Sequence, residues 1–291
     1  MDPFPLGGFS VNRVGFGAMQ LPGPNAFGPP RDRDEALAVL RRAVELGVDH
    51  IDTAQFYGPD VANGLIREAL HPYPENLALV SKVGAHRDGN GGWLPVEEPA
   101  DLRRDIETNL RSLGVEQLAV VNLRLFESGA PDQLFDDQLS VMIEARDQGL
   151  IGAIGLSNVN RDHLLHACER TEIACVQNAF NLVHRESAPV LEECTTRGIA
   201  FVPFFPLGAA FMQPNPVLSH QAVQEIAQQL GRTPAQVALA WTLGVAPNVL
   251  LIPGTRDPGH LAENVAAGGL SLSDEMLALL DDASRAHSEP D

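Results

Sequence analysis

The chain has 291 residues, of which 44% are hydrophobic and 20% are charged, a composition typical of a globular protein with a sizeable core. Its formal net charge is −18, from 20 basic and 38 acidic residues, which disfavours nucleic acid and anionic membranes as partners. The N-terminus does not resemble a signal peptide, no apolar run approaches the roughly 20 residues of a membrane span, and the three cysteines lack paired spacing, so we expect a reduced, cytoplasmic protein.

Extended and helical patterns alternate along the chain. Gly8–Arg13 predicts a hairpin, after which apolar runs predict strands at 14–19, 50–54, 77–83, 118–124, 151–156, 174–179, 199–205 and 249–253. Helical periodicity predicts helices at 33–46, 61–70, 101–113, 132–148, 161–170, 186–197, within 216–244, at 259–267 and at 273–284.

This order favours one fold class. Alternating strands and helices indicate a parallel sheet, and eight such units without a separating linker predict a single (β/α)8 barrel domain over residues 1–291. The N-terminal β-hairpin and extra helices near the C-terminus would be additions to that barrel. A doubly wound sheet is the main alternative, and it is disfavoured because no GxGxxG stands at the first βα turn.

One lysine stands out, since the basic residues are 19 arginines and Lys82 alone. Lys82 and Asp52 end neighbouring predicted strands, and Tyr57 follows Asp52 in a turn, so the three side chains can meet at the rim of a barrel. A carboxylate keeps an adjacent ammonium charged, and the ammonium in turn favours the ionised form of a phenol, which gives a phenolic general acid. The alternatives are drift in an arginine-biased composition, or a rim salt bridge beside an unrelated tyrosine.

These residues carry a resemblance to a known family. Asp52-Thr53-Ala54, Tyr57-Gly58 and Ser81-Lys82-Val83 resemble the Asp–Tyr–Lys signature of the aldo-keto reductases, and the similarity runs across almost the whole chain. The chain resembles a bacterial, pyridoxal-reductase-like variant of that family. The resemblance implies a (β/α)8 barrel that reduces an aldehyde or ketone to an alcohol with NADPH. Hydride would come from nicotinamide C4 and the proton from Tyr57, tuned by Lys82 and Asp52.

The same resemblance implies a cofactor site in the second half of the chain. Gly155–Asn158 and Gln177 resemble segments that hold the nicotinamide carboxamide, Phe204 resembles the platform under the nicotinamide ring, and Ile252–Arg256 resembles the adenosine-phosphate segment. The implied cofactor-binding residues are Ser157, Asn158, Gln177, Phe204, Pro206, Leu207, Gly208, Gly254, Thr255, Arg256, His260, Glu263 and Asn264.

The fourth strand departs from the family pattern. Where a catalytic histidine is usual, the chain has Arg124, with Asn122 two residues earlier on the same face. We expect Arg124 or Asn122 to replace histidine as the donor that orients the carbonyl oxygen, since a guanidinium stabilises developing negative charge although it cannot shuttle a proton. Such a change would favour anionic or phenolic aldehydes. The alternative is an arginine that merely pairs with a rim carboxylate.

The cofactor-phosphate segment departs as well. Gly254 and His260 stand where NADPH-specific members often have Lys or Arg. Thr255 and Arg256, with the amides and dipole of a helix that begins near Pro258, are expected to bind a 2′-phosphate, so we predict NADPH over NADH.

The substrate side is predicted more coarsely. Gln20, Phe56, Trp93, Phe126 and Phe211 are expected to line a pocket for a small carbonyl compound, and 89–95 to form a loop. His166, His184 and His220 lack metal-ligand spacing, so no metal is expected. Two other functions remain open: a Schiff-base aldolase using Lys82, and a non-catalytic NADP(H)-binding regulatory subunit.

Overall fold

Parallel strands alternate with helices in the computed structural model, which describes residues 2–126, 129–208 and 214–286, the final two positions by their backbone alone. The strands are β1 Phe4–Leu6, β2 Phe9–Val11, β3 Phe16–Gly17, β4 His50–Asp52, β5 Ala78–Val83, β6 Ala85–Arg87, β7 Trp93–Pro95, β8 Leu118–Arg124, β9 Ile151–Ser157, β10 Cys175–Gln177 and β11 Ala200–Phe201. The α-helices are α1 Arg33–Glu45, α2 Val61–Leu70, α3 Pro99–Leu113, α4 Gln133–Asp147, α5 Arg161–Arg170, α6 Ala188–Arg197, α7 Gln221–Leu230, α8 Pro234–Gly244, α9 Pro258–Ala266 and α10 Asp274–Ala286. None of the helices within these ranges has the length and apolar character needed to cross a membrane.

A closed barrel forms the centre of the molecule. Seven parallel strands pair in the order β3, β4, β5, β8, β9, β10, β11. The two edges are joined by the segment around Leu251, which bridges Phe201 through Val249 and Val14 through Leu251 itself. The amide of Gly15 donates to the carbonyl of Leu251 at 2.8 Å. The predicted (β/α)8 barrel is therefore confirmed, although its eighth strand consists of isolated bridges and not of the predicted run 249–253.

The predicted N-terminal hairpin covers one end of this barrel. β1 and β2 pair antiparallel, with Phe4 opposite Val11. Leu6 and Val11 are buried in a cluster with the residues at the beginnings of the barrel strands, such as Val120, and burial of each side chain contributes about 1.5–3 kcal/mol. Because the hairpin closes the amino ends of the strands, the carboxyl ends form the open mouth where barrel active sites are built.

The structure corrects several sequence-based boundaries. Ala18–Gln20 is a 3-10 helix and not part of the first strand, and the seventh strand is only Ala200–Phe201. The region 216–244 divides into α7 and α8, because Gly231 adopts a left-handed conformation (φ 60°) and Thr233 with Gln236 forms a capping box that starts α8.

The predicted loop over 89–95 is confirmed for 89–92 and is wrong for 93–95, which form a strand next to the site. β7 pairs antiparallel with β6, with Arg87 opposite Trp93. The turn between them closes because the Asp88 carboxylate accepts the amides of Asn90 (2.8 Å) and Gly92 (2.7 Å). This second hairpin lies directly after β5, at the mouth of the barrel.

Candidate active site

Lys82 lies at the carboxyl end of β5, almost fully buried, and binds two groups of the neighbouring strand end. Its ammonium donates to the Asp52 carboxylate and, at 3.0 Å, to the carbonyl of Thr53. Burial alone lowers the pKa of Lys82, but the charge of Asp52 and the phenol oxygen of Tyr57 more than offset it, so the pKa is raised. The predicted pair of Lys82 and Asp52 is thus brought together as a charged, oriented unit.

Tyr57 lies beside this pair in the turn after β4. The Lys82 ammonium is 5.1 Å from the centroid of its ring, and its side chain is 6% exposed. The turn is fixed by a bridge between Phe27 and Gly58 and by the bond from the amide of Ala62 to the carbonyl of Tyr57 at 3.1 Å. Gly58 has φ +108° and its missing Cβ would lie 2.3 Å from the side chain of Val61, so only glycine fits there.

A polar network lies behind the two strand ends, between the barrel and α2 and α3. The alternation of side chains turns Thr53 and Ser81 outward where Asp52 and Lys82 turn inward. The Thr53 hydroxyl donates to Asn63 Oδ1 (2.8 Å), Asn63 Nδ2 donates to Asn109 Oδ1 (3.0 Å) and to Ser112 Oγ (2.9 Å), and the Ser81 hydroxyl donates to Asn109 Oδ1 (2.6 Å). Asn63 and Asn109 are 0% exposed, so the network ties both strand ends to the helices. Sequence reasoning missed it.

Of the two candidates on the fourth barrel strand, Arg124 is the one that reaches the mouth. Asn122 is fully buried beside Lys82 in the sheet register, where its amide donates to the carbonyl of Ser81 (3.3 Å) and its Oδ1 accepts from the Cys175 thiol (3.2 Å). Arg124 is partly buried, one layer further along the strand. Its guanidinium lies 5.6 Å from the ring of Phe204 and donates to Ser157 Oγ over 3.4 Å.

No carboxylate among residues 2–126, 129–208 and 214–286 neutralises the charge of Arg124. Burial lowers its pKa, against a smaller effect from Tyr57 that raises it. Among the ranges that the structure describes, Arg124 forms no ion pair with a carboxylate. This geometry favours the orienting role over the alternative of a rim salt bridge, and the role itself stays a prediction.

Arg87 is a residue of the site that sequence reasoning missed. Its guanidinium stacks on Trp93, with 3.9 Å from Cζ to the ring centroid, and it faces Phe27 at 5.3 Å. Burial lowers its pKa, while the charges of Asp88 and Tyr57 act in the opposite direction. Nothing in the sequence distinguishes this arginine from the other 18, because only the pairing of β6 with β7 brings it to the site.

The aromatic residues expected in the pocket divide into two groups. Trp93 (38% exposed) and Phe126 (37% exposed) present ring surface at the mouth. Phe56 is buried beneath them and contacts Trp93 and Tyr57 edge to face, at 5.4 and 5.3 Å between ring centroids, so it supports the site and does not line open space. Phe211 lies outside the described residues. Gln20 is exposed on the 3-10 helix after β3, against Gly254.

The residues assigned to the nicotinamide carboxamide meet at the ends of β9 and β10. Ser157 and Gln177 are paired in the sheet register and buried, and Asn158 turns the chain in a left-handed conformation (φ 58°) with its Nδ2 on the carbonyl of Leu125 at 2.8 Å. Gln177 Nε2 donates to the second oxygen of Asp52 at 2.6 Å. Gln177 Oε1 is buried and receives no hydrogen bond from the part of the chain that the structure describes, and an amide N–H of a ligand would satisfy it.

The segment from Phe204 to Gly208 forms a tight turn over the mouth. Gly208 N donates to the carbonyl of Phe205 at 2.9 Å, and the side chain of Asn215 binds the carbonyl of Leu207 at 2.9 Å. Pro206 is buried, whereas Phe204 is partly exposed with its ring towards Arg124. The Phe204 side chain is therefore only partly covered by the protein.

The phosphate segment differs from its prediction at one point. The Asp257 carboxylate caps α9 and accepts the amides of Gly259 (2.7 Å) and His260 (3.0 Å). The expectation that these amides are free for a 2′-phosphate is wrong, because an acidic side chain already occupies them. The Arg256 guanidinium is half-exposed and the His260 ring is exposed on this surface, while Glu263 is half-buried and Asn264 is buried on α9.

Comparison with known proteins identifies the family to which this arrangement belongs. A model of the aldo/keto reductase family matches residues 13–285. The chain belongs to this family. It is 49% identical over 287 residues to pyridoxine 4-dehydrogenase of Escherichia coli, a match that covers 98% of this chain and 99% of the relative.

Solved structures agree with the assignment. A thermostable aldo-keto reductase in complex with the inhibitor epalrestat is 31% identical and superposes with a TM-score of 0.81, over 97% of this chain and 100% of the other. An aldo/keto reductase from Klebsiella pneumoniae, in complex with NADP and acetate, is 25% identical with a TM-score of 0.80, over 99% and 96% of the two chains. The family, the barrel fold and the class of oxidoreductase predicted from the sequence are thus confirmed.

Proposed function

We propose that this protein reduces an aldehyde or ketone to the alcohol with NADPH, and that Tyr57 is the general acid. The observation that carries the proposal is the buried Lys82, held protonated against Asp52 and next to the Tyr57 ring. A protonated lysine beside a phenol stabilises the phenolate that remains after the proton has left, which is what a reversible acid needs.

The chain's own residues would divide the work as follows. Tyr57 donates its proton to the carbonyl oxygen of the substrate, and Lys82, held by Asp52, stabilises the phenolate that remains. Arg124 donates a hydrogen bond to the same carbonyl oxygen as negative charge develops there. Asn122 supports Lys82 from the adjacent strand. NADPH supplies the hydride from nicotinamide C4 when it is bound.

The cofactor fits the residues of the second half of the chain. The buried acceptor Gln177 Oε1 suits the N–H of a carboxamide, with Ser157 and Asn158 beside it and Phe204 as a ring platform. The turn Pro206–Gly208 and the segment Gly254–Arg256 with His260, Glu263 and Asn264 would hold the phosphates and adenosine. The NADP bound to the Klebsiella relative supports this cofactor.

Pyridoxal is the substrate that we infer, since the chain shares 49% identity over nearly its full length with pyridoxine 4-dehydrogenase. The corresponding reaction reduces the 4-formyl group of pyridoxal to the alcohol of pyridoxine. Its flat ring matches a mouth with the exposed aromatic surfaces of Trp93 and Phe126.

The other two functions are less well supported. A Schiff-base enzyme needs a neutral amine, and the raised pKa of Lys82 keeps that amine protonated. A non-catalytic NADP(H)-binding subunit would have no need for the complete set of Asp52, Tyr57 and Lys82. Tight NADPH binding without turnover of any aldehyde would favour it.

The decisive experiment follows NADPH oxidation with a panel of aliphatic, sugar, aromatic and pyridoxal-type aldehydes. Tyr57→Phe should lower kcat by about 10²–10⁴-fold while NADPH binding persists. Tyr73→Phe is the matched control, because Tyr73, the other of the chain's two tyrosines, binds the carbonyl of Leu113 away from the site. Full activity of Tyr57→Phe would refute the assignment of the acid.

The cofactor preference has its own test. Arg256→Met should raise the KM for NADPH and leave that for NADH unchanged, because a guanidinium binds a 2′-phosphate that NADH lacks. Equal kcat/KM with both cofactors in the unaltered protein would contradict the preference.

We further infer a single (β/α)8 domain over 1–291 and a cytoplasmic location, the latter from three cysteines that are all free thiols.

A further inference from the structure

Two arginines of the mouth differ from the eight arginines that form ion pairs elsewhere in this acidic protein. Arg33, Arg42, Arg103, Arg104, Arg146, Arg161, Arg170 and Arg197 each pair with a carboxylate. Arg87 and Arg124, which we call the guanidinium pair, form no ion pair within residues 2–126, 129–208 and 214–286. Both nevertheless lie at the same part of the rim, because Arg87 belongs to the hairpin that follows β5 and Arg124 ends β8, the strand paired with β5. The missing Cβ of Gly84, between β5 and that hairpin, would lie 2.4 Å from the carbonyl oxygen of Arg124.

Arg87 is held rigidly and still has a donor to spare. Its Nε and Nη2 bind the carbonyl of Gly91 at 3.1 and 2.8 Å, and Nη2 also binds the carbonyl of Asn25 at 2.9 Å. Stacking on Trp93 fixes the plane of the guanidinium. Nη1, by contrast, is buried and has no acceptor among the described residues.

Arg124 is equally short of acceptors. Its one described hydrogen bond is the long contact with Ser157 Oγ, at 3.4 Å, and its Cζ lies 5.8 Å from the ring centroid of Phe126 and 5.6 Å from that of Phe204. Guanidinium groups that are partly desolvated and lack an anion cost free energy, and a buried donor without an acceptor adds about 1–3 kcal/mol. A site that retains two such groups is preorganised for a negatively charged ligand.

We propose that Arg87 and Arg124 together bind an anionic oxygen that the substrate carries next to its carbonyl group. This inference rests on the proposed function and names its substrate class. The exposed rings of Trp93 and Phe126 beside the pair indicate a flat aromatic substrate, so the anion is a phenolate ortho to the formyl group. The ionised 3-hydroxyl of pyridoxal has this position. Arg124 then donates to both the carbonyl oxygen and the phenolate oxygen, whereas Arg87 donates to the phenolate oxygen alone.

The test compares two aldehydes that differ in this oxygen, pyridoxal and pyridine-4-carbaldehyde. Arg87→Met should lower kcat/KM for pyridoxal by about 10–100-fold, the range for one hydrogen bond to a charged group. For pyridine-4-carbaldehyde the change should stay within about threefold. The Kd of pyridoxine, measured by calorimetry, should rise with Arg87→Met, while that of NADPH should not.

Controls separate recognition from structure. Arg103→Met removes a partly exposed arginine that pairs with Glu107 on α3, and it should leave kcat/KM unchanged for both aldehydes. Arg87→Lys should restore part of the pyridoxal activity, since it keeps the charge but not the fork. A third aldehyde, 2-carboxybenzaldehyde, distinguishes a preference for phenolate from one for carboxylate, and faster turnover of it than of pyridoxal would overturn the phenolate assignment.

Two results would overturn the proposal as a whole. An equal loss for pyridoxal and pyridine-4-carbaldehyde in Arg87→Met would mean that the arginine tunes Tyr57 or supports the hairpin, and no loss for either would mean that it is idle. Failure of the unaltered protein to oxidise NADPH with any aldehyde is a different outcome, because it refutes the proposed function and not the choice between substrates.

Discussion

Asn109 offers a direct test of how the charged pair is held in position. In Asn109→Ala the Ser81 hydroxyl loses its acceptor and Asn63 Nδ2 loses one of two, all at positions without solvent exposure. A buried polar group left without a partner costs about 1–3 kcal/mol. Two such groups and a small cavity give a loss of roughly 2–5 kcal/mol in the free energy of unfolding.

The consequence should reach the chemistry, because Ser81 precedes Lys82 and the carbonyl of Thr53 binds the Lys82 ammonium at 3.0 Å. We expect kcat to fall while the KM for NADPH changes little, since the cofactor residues lie on other strands. Urea denaturation and steady-state kinetics measure the two effects.

The matched control is Thr108→Ala, one residue earlier on α3, where a half-exposed hydroxyl donates to the carbonyl of Arg104 and accepts from the Arg111 guanidinium, outside the buried network. It should stay within about 0.5 kcal/mol of the unaltered protein. If Asn109→Ala were as stable as Thr108→Ala and equally active, the network would have no positioning role.

Three further predictions concern titration and reactivity. Lys82→Met should cost about 3–5 kcal/mol, because it leaves a buried carboxylate unpaired. The raised pKa means that the stabilisation by Lys82 is complete below its ordinary pKa of 10.5 and is lost as pH rises through the higher folded value, so urea titrations of protein and variant should converge in strong alkali. Burial raises the pKa of Tyr73 to about 12. In Tyr57→Phe, where Tyr73 is the one remaining tyrosine, a pH titration of the tyrosinate absorbance should have its midpoint near 12 and not near 10. Among the three thiols only Cys168 is partly exposed, so a thiol reagent should modify one site in the native protein, and rapid reaction of Cys194, whose pKa burial raises to about 12, would contradict the fold.

The sequence predicted those parts of the molecule that depend on local pattern and on repeated units. β8 and the helices α2 and α5 have the predicted bounds, and the alternation of strands and helices was sufficient for the barrel. The lone lysine indicated the site because a charged group at a strand end must find its partner on the neighbouring strand. The family comparisons confirm the class of enzyme, while the roles of individual site residues stay predictions.

What the sequence did not predict depends on pairing across the chain. Arg87 becomes part of the site only through the hairpin of β6 and β7, whose three-residue strands are too short for a period to be read. Asn63 and Asn109 lie 46 residues apart and form one network only in the folded barrel. The Asp257 carboxylate accepts the same α9 amides, those of Gly259 and His260, that a phosphate would need. A sequence motif does not show whether such amides bind a side chain or a ligand.

The closure of the barrel also bears on the order in which the molecule is made. The first strand region and its last partner meet through main-chain bonds, and the Arg13 side chain binds the carbonyl of Val249, 236 residues further along the chain. During synthesis the first barrel strand therefore keeps one edge unpaired until nearly the whole chain has been made, because its partner on that side is the segment around Leu251. Contacts of such long range slow folding, and an open strand edge invites association with other chains. The hairpin β1–β2, packed early against the bottom of the incomplete sheet, would shield apolar surface during that interval.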